Sequence, residues 1–242
     1  MGILRTKTIE PATGSTLTLG ASGDTITVSS DSIKANTFKD AGGNTLFTSD
    51  GAGTLSSVNS ALAAGGPILI STATASGESS IEITSGIDST YDEYMFVLTD
   101  IVGSVVTGFQ FQVNADGESG YNETITSIYW ETNHAENDAV ADFAYVASGD
   151  QAQGTSAQRL TQAIGNAGSH SGSLILHLFN PSSTTYVKHF YGRSAIHYGD
   201  VGNASSSFVA GYINTTAAIT DIQFEFGSGT VDSGTIQMYG IR

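Results

Sequence analysis

The chain has 242 residues, no Cys, 29 Gly, 13% charged residues and a net charge of −15. The lack of Cys excludes disulfides, thiolate catalysis and Cys-ligated zinc or iron–sulfur centres. An apolar share of 39% with a mean hydropathy near zero is enough for a packed core, whereas so few Lys and Arg argue against nucleic acid as a partner, because such binding rests on cations displacing counterions. The charge is uneven. Residues 1–66 hold four basic and five acidic residues, whereas residues 67–242 hold four basic against 18 acidic, a net of −14. No Lys or Arg occurs between Lys39 and Arg159. Solubility is the plain reading of that acidity. No apolar run approaches 18 residues, so no membrane-spanning helix is expected, and the first ten residues lack the apolar stretch of a signal peptide.

In chain order, Ile3, Arg5, Lys7 and Ile9 alternate with Leu4, Thr6 and Thr8, which predicts an extended strand. Two short strands of alternating Thr and aliphatic residues follow at 15–19 and 24–28, bounded by Gly turns. The segment 35–53 continues the pattern, with turns at Gly42-Gly43 and Asp50-Gly51. Such short Thr-, Ser- and Gly-rich strands need neighbours to bury a core, from repetition along an axis or from sister subunits. Residues 1–53 therefore read as an extended β-arm or stalk. Leu55, Val58 and Leu62 fall on one face of a helix, with Thr54 as its N-cap and Gly65-Gly66-Pro67 ending it. Residues 54–66 thus predict a short helix, either a three-chain neck or a plain linker.

From Pro67 the strand candidates lengthen and carry aromatics. They fall at 67–73, 80–84, 94–99, 109–113, 125–130, 142–146, 173–179, 185–191, 207–213, 222–226 and 235–241. About eleven strands with little room for helix predict an all-β head over 67–242, an antiparallel β-sandwich of jelly-roll type.

Chemistry-bearing residues are sparse. His177 and His189 flank the turn at Asn180–Ser183, so a cross-strand His pair is geometrically allowed. Half-buried polar positions on a sheet face are the plainer reading. Asn114 to Gly120 alternates oxygen donors around a Gly but lacks the spacing and terminal Glu of a calcium loop, so a β-turn is expected. The loop at Glu136-Asn137-Asp138 with Asp142 is no better a candidate. No carboxylate pair, Ser-His-Asp order, G-x-S-x-G or phosphate loop stands out. No catalytic residue, metal site or cofactor is expected. Tyr121, Trp130 and Tyr198 lie near turns and are the candidate contacts to glycan or protein; capping the core or filling a subunit interface is the alternative use.

The segments T-L-T-L-G-A-S-G-D-T-I-T-V and K-D-A-G-G-N-T-L-F-T-S-D-G-A-G-T-L-S-S-V resemble stalk and neck regions of bacteriophage fibre proteins, most of all structural proteins of marine tailed phages. Residues 91–102, 176–190 and 221–241 are similar to the β-sandwich heads that follow such necks. The resemblance implies a virion appendage, often trimeric. Its N-terminus, with Ile3, Leu4, Arg5, Lys7 and Ile9, would anchor to other virion proteins, and its head would face a host-surface glycan or protein. Leu55, Val58 and Leu62 would then line the trimer neck. A capsid decoration or cement protein, or a short head fibre, is the alternative; a glycan-active spike enzyme is a third.

Overall fold

In a computed structural model of the chain, residues 36–40, 42–49, 51–52, 55–56, 58–59 and 66–241 are described. The strands expected at 3–9, 15–19 and 24–28 lie outside the described residues, as do Ile3, Leu4, Arg5, Lys7, Ile9 and Leu62. The chain divides into two compact units, Met1–Leu62 and Ala63–Arg242. Among the described residues every regular element is a β-strand, so the protein is all-β.

The first unit carries a small antiparallel meander of β1 (Thr37–Lys39), β2 (Thr45–Ser49) and β3 (Leu55–Ser56). Its first turn is the expected one. Gly43 has φ +84°, Gly43 N–H donates to the Asp40 carbonyl at 3.0 Å, and the Asp40 carboxylate accepts from Asn44 N–H at 2.8 Å. Phe38 stands directly opposite Phe47, and their rings stack 4.5 Å apart. The start of the helix expected over 54–66 is corrected here, while residues 54, 57 and 60–65 lie outside the described residues. Leu55 and Ser56 are extended and pair with Ser49 and Thr48, and Asn59 N–H donates to the Leu46 carbonyl at 2.7 Å. A helix of about ten residues is marginal in isolation, whereas β2 offers a ladder edge with its hydrogen-bonding groups already aligned.

The second unit carries β4 (Ile68–Thr74), β5 (Ser80–Ile83), β6 (Glu93–Gly103), β7 (Thr107–Ala115), β8 (Ile125–Ala135), β9 (Ala141–Tyr145), β10 (Ala152–Gly154), β11 (Gln158–Ile164), β12 (Gly172–Phe179), β13 (Lys188–Tyr198), β14 (Asn203–Ile213), β15 (Ile219–Phe226) and β16 (Val231–Ile241). All belong to one antiparallel sheet that is nearly closed. A long run has the order β4-β16-β6-β12-β13-β14-β8, with β9 and β10 beside β8. A short run has the order β11-β7-β15-β5. The runs join where Ile164 of β11 pairs with Tyr198 of β13, and again at the isolated bridge Glu78–Val231.

The inner faces of the two runs meet in one core. Phe96 of β6 packs on Phe224 of β15 at 5.6 Å, and Phe111 of β7 packs edge-on against Phe190 of β13 at 5.1 Å. Each fully buried aliphatic or aromatic side chain contributes about 1.5–3 kcal/mol. Burial alternates residue by residue along β13, so once Phe190 and Ile196 face inward Lys188 must follow. Its Nζ donates to the carbonyls of Tyr186, Thr215 and Ala217 at 2.8–3.1 Å, tying the β14–β15 connection to β13. Burial pulls the Lys188 pKa down, against the attraction of Glu123.

Two strands, β10 and β11, fall outside the sequence expectation. β11 buries Gln158, Thr161 and Gln162 together with Leu160 and Ile164, so its apolar alternation is broken by polar residues. Those residues are satisfied inside: the Ser127 hydroxyl donates to Gln158 Oε1 at 2.6 Å, and Gln158 Nε2 donates to the Gly149 carbonyl at 2.8 Å.

Candidate functional site: an aromatic outer sheet face

Strand alternation gives each run an inner and an outer face, and the two outer faces differ in kind. On the short run, Asp221, Gln223 and Glu225 of β15 point outward. Gln223 donates to Glu82 and Gln110 donates to Glu225, each at 3.1 Å. That face is polar and acidic, as a solvated face should be.

The outer face of the long run is apolar and aromatic. One cross-strand row runs Leu69–Tyr239–Met95–His177 and continues Tyr191–Ala210–Ile128, one residue from each of seven strands. The neighbouring row runs Thr72–Gln237–Val97–Ile175 and continues Arg193–Phe208–Trp130–Tyr145. Neither row contains a carboxylate. Leu69, Ile128, Ile175, Tyr191 and Tyr145 are 40–56% exposed, and Phe143 of β9 is 69% exposed. The rings are ordered against one another. His177 stacks on Tyr191 at 4.5 Å and Trp130 on Phe208 at 5.7 Å, and the Arg193 guanidinium lies 5.0 Å from the Phe208 ring centre. Each such pair adds about 0.5–1.5 kcal/mol beyond its buried area. His177 Nδ1 also pairs with Glu93 at 2.5 Å. Two shallow grooves score this face. One, of about 440 Å³, lies over Ile128, Phe179, Tyr191, Ala210 and Tyr212; the other, of about 420 Å³, lies over Val97, Ile175, Arg193 and Ala195.

The three expected contact residues do not converge. Trp130 lies within the aromatic face. Tyr121, at φ +49°, sits beside Glu82 and Asp221; burial, with the negative charge of those two carboxylates, pushes its phenol up to about 12. Tyr198 ends β13 opposite Asn203 and Ile164 and packs against the core. The His177–His189 pair is corrected. The β12–β13 register places His177 opposite Tyr191, two residues beyond His189, and His189 lies opposite Tyr212 of β14 on its other side. In the loop after β7, Asn114 Oδ1 accepts from Tyr121 N–H at 2.8 Å and Glu118 N–H donates to the Ala115 carbonyl at 3.0 Å, which is turn chemistry. Among the described residues no group of three His, Asp or Glu side chains is arranged to hold a metal ion.

Tyr191, Phe208, Ile175 and Ile128 are not among the contact residues the sequence singles out, and His177 enters there only as a partner for His189. A signal for them exists. The runs Leu174-Ile175-Leu176, Phe190-Tyr191, Phe208-Val209 and Ile128-Tyr129-Trp130 are apolar at successive positions, whereas β15 alternates from Ile222 to Phe226. Apolar residues at both parities mark a strand covered on both faces.

On the inner side of the long run, beyond the aromatic core, lies a polar patch. Asn133 pairs with Ser205 and with Asp142 in register, and Asn133 Nδ2 donates to Asp142 at 3.0 Å. Glu131, two residues along β8 on the same face, has its pKa raised by burial, against a hydrogen bond from Gln162 and the Arg159 charge.

No protein-family model, curated protein or solved structure matches the chain.

Proposed function

We propose that the chain is a non-enzymatic structural protein of a phage virion. In this reading residues 1–53 form an anchoring arm bound to other virion proteins, three copies share the arm, and the head over 67–242 faces outward toward a host-surface glycan or protein. The observation that carries it is the strand order of the head. The quartets β4-β16-β6-β12 and β5-β15-β7-β11 belong to the two runs. Consecutive strands cross from one quartet to the other: β4 to β5, β6 to β7, β11 to β12, β15 to β16. In a jelly-roll reading of the head these quartets would be its two sheets, linked as two interleaved Greek keys, with β8–β10 and β13–β14 as insertions that widen one of them. Jelly rolls recur in viral capsid and lectin domains. A fold by itself does not assign a function, so the reading also leans on the Thr- and Gly-rich arm and on the resemblance of both parts to phage fibre proteins.

Labelling the full chain on intact particles with an antibody and imaging by electron microscopy tests this. Label on projecting fibres is expected. Label spread over the capsid lattice would make it a decoration protein instead, and label absent from particles would overturn the virion reading. Loss of polysaccharide viscosity on adding the pure chain would show an enzyme.

A further inference from the structure

We infer that the aromatic outer face of the long run is an interface, and that its occupant is a second copy of this chain. Three observations lead there. The first is exposure. A soluble protein rarely leaves a broad contiguous apolar patch open to water, and here two adjacent cross-strand rows over seven strands are aromatic or aliphatic for most of their length. The second is sequence texture. The strands beneath the face, β8 and β12–β14, carry apolar residues at both parities, the pattern of strands buried on both sides. The outward positions of the short run, Gln110, Gln112 and Asn114 of β7 and Gln223 and Glu225 of β15, are polar.

The third observation selects the occupant. Residues 67–242 hold 18 acidic residues against four basic ones, yet neither central row contains a carboxylate and one contains Arg193. Two copies approaching by their acidic surfaces would oppose like charges, which costs free energy and suppresses association. The aromatic face, whose carboxylate Glu93 is bonded to His177, is where two such acidic molecules meet with the least repulsion. A glycan fits less well. Sugar recognition needs several placed hydrogen-bonding groups beside its stacking rings; Ile128, Ile175, Val97 and Ala210 supply none, Arg193 lies on the Phe208 ring, and His177 is bonded to Glu93. The interface would centre on Tyr191, Ile175 and Phe208, with Arg193 lying on the Phe208 ring.

The test uses the full chain alone in solution, so its outcome is separate from where the protein acts. The chain has no Cys, so single engineered thiols report burial cleanly. In the Y191C variant the thiol should react with a maleimide about tenfold more slowly than the thiol of the Q223C variant on the opposite outer face, a difference of about 1.4 kcal/mol in opening. Adding I128E and I175E to Y191C should abolish that protection. Both positions are 40% exposed or more, and far-ultraviolet circular dichroism reports whether the variants remain folded. The same pair of changes should lower the sedimentation coefficient, or leave only an arm-held assembly with an unprotected thiol. Equal labelling of Y191C and Q223C at every protein concentration overturns the inference. So does protection that appears only when a neutral polysaccharide is added, which would assign the face to glycan.

Discussion

At the scale of single residues, the head places ionisable groups where strand parity demands rather than where charge would choose. Lys188 and Glu131 are the two clearest cases. Lys188 is fully buried and satisfied by three carbonyls. Glu131 is less well provided for: Gln162 and Arg159 favour its charged form, but burial outweighs them and raises its pKa above the ordinary 4.5. A carboxyl whose folded-state pKa is raised holds its proton more tightly when folded. Its stabilising effect is therefore full below pH 4.5 and is lost as pH climbs through the raised value. Glu131→Gln removes that loss. Thermal melts from pH 4 to pH 8 should show the variant gaining on the parent protein as pH rises. A variant whose melting temperature, relative to the parent, stays constant or falls as pH rises would show that Glu131 ionises freely in the folded state.

At the scale of elements, the strands run straight only where the ladder is regular. β16 changes register twice against β6, at Val231/Ser233 and Ser233/Thr235. Gly234 lies inside the second shift with φ +123°, and a Cβ there would stand 2.7 Å from Ile101 Cδ1 and 2.9 Å from the Asp100 carbonyl. The bulge lets Val231 and Ile236 both reach the core from one strand. Gly234→Ala is expected to cost about 1–3 kcal/mol from backbone strain alone, with the steric clash added. At roughly 2–4 °C per kcal/mol for a domain of this size, differential scanning calorimetry should record a fall of several degrees. An unchanged melting temperature would mean that the bulge can slide to another residue. The elements also show where sequence reading works. Strands such as β15 and β7 were legible because alternating Ile, Phe and Val mark one buried face. β11 was not, since its inward Gln158, Thr161 and Gln162 look like solvent residues until Ser127, Gly149 and Phe109 are seen to meet them. The helix expected from Leu55 fails for the opposite reason: its spacing was right, but a waiting strand edge outcompeted a short helix.

At the scale of the whole molecule, charge is the dominant long-range term. The 18 carboxylates of residues 67–242 lie mostly in loops and on the outer face of the short run. Each exposed pair repels by only a few tenths of a kcal/mol, and salt screens it within about 10 Å at 0.1 M. Summed, the effect should be visible. Raising sodium chloride from low to marine ionic strength is expected to increase the melting temperature by a few degrees, on the order of 1 kcal/mol in stability. Calcium at equal ionic strength should do no more, because the loops after β7 and β8 spend their oxygens on their own turns, as in Asn114 to Tyr121 and Asn137 to Ala139. A melting temperature indifferent to salt would show that the carboxylates are too far apart to matter. A selective calcium response would reveal a specific site.

The fold class and most of the elements are legible in the local residue pattern. Period-two alternation bounded by Gly, Asn and Asp fixes a strand locally, and eleven of the thirteen head strands were expected close to where they stand. Which strands become neighbours depends on contacts between residues far apart in the chain, and local pattern carries no record of them. That is why the pairing of β4 with β16, the two-residue shift that sets His177 against Tyr191, and the gathering of Tyr191, Ile175, Phe208 and Trp130 onto one outward face were decided only by the tertiary structure.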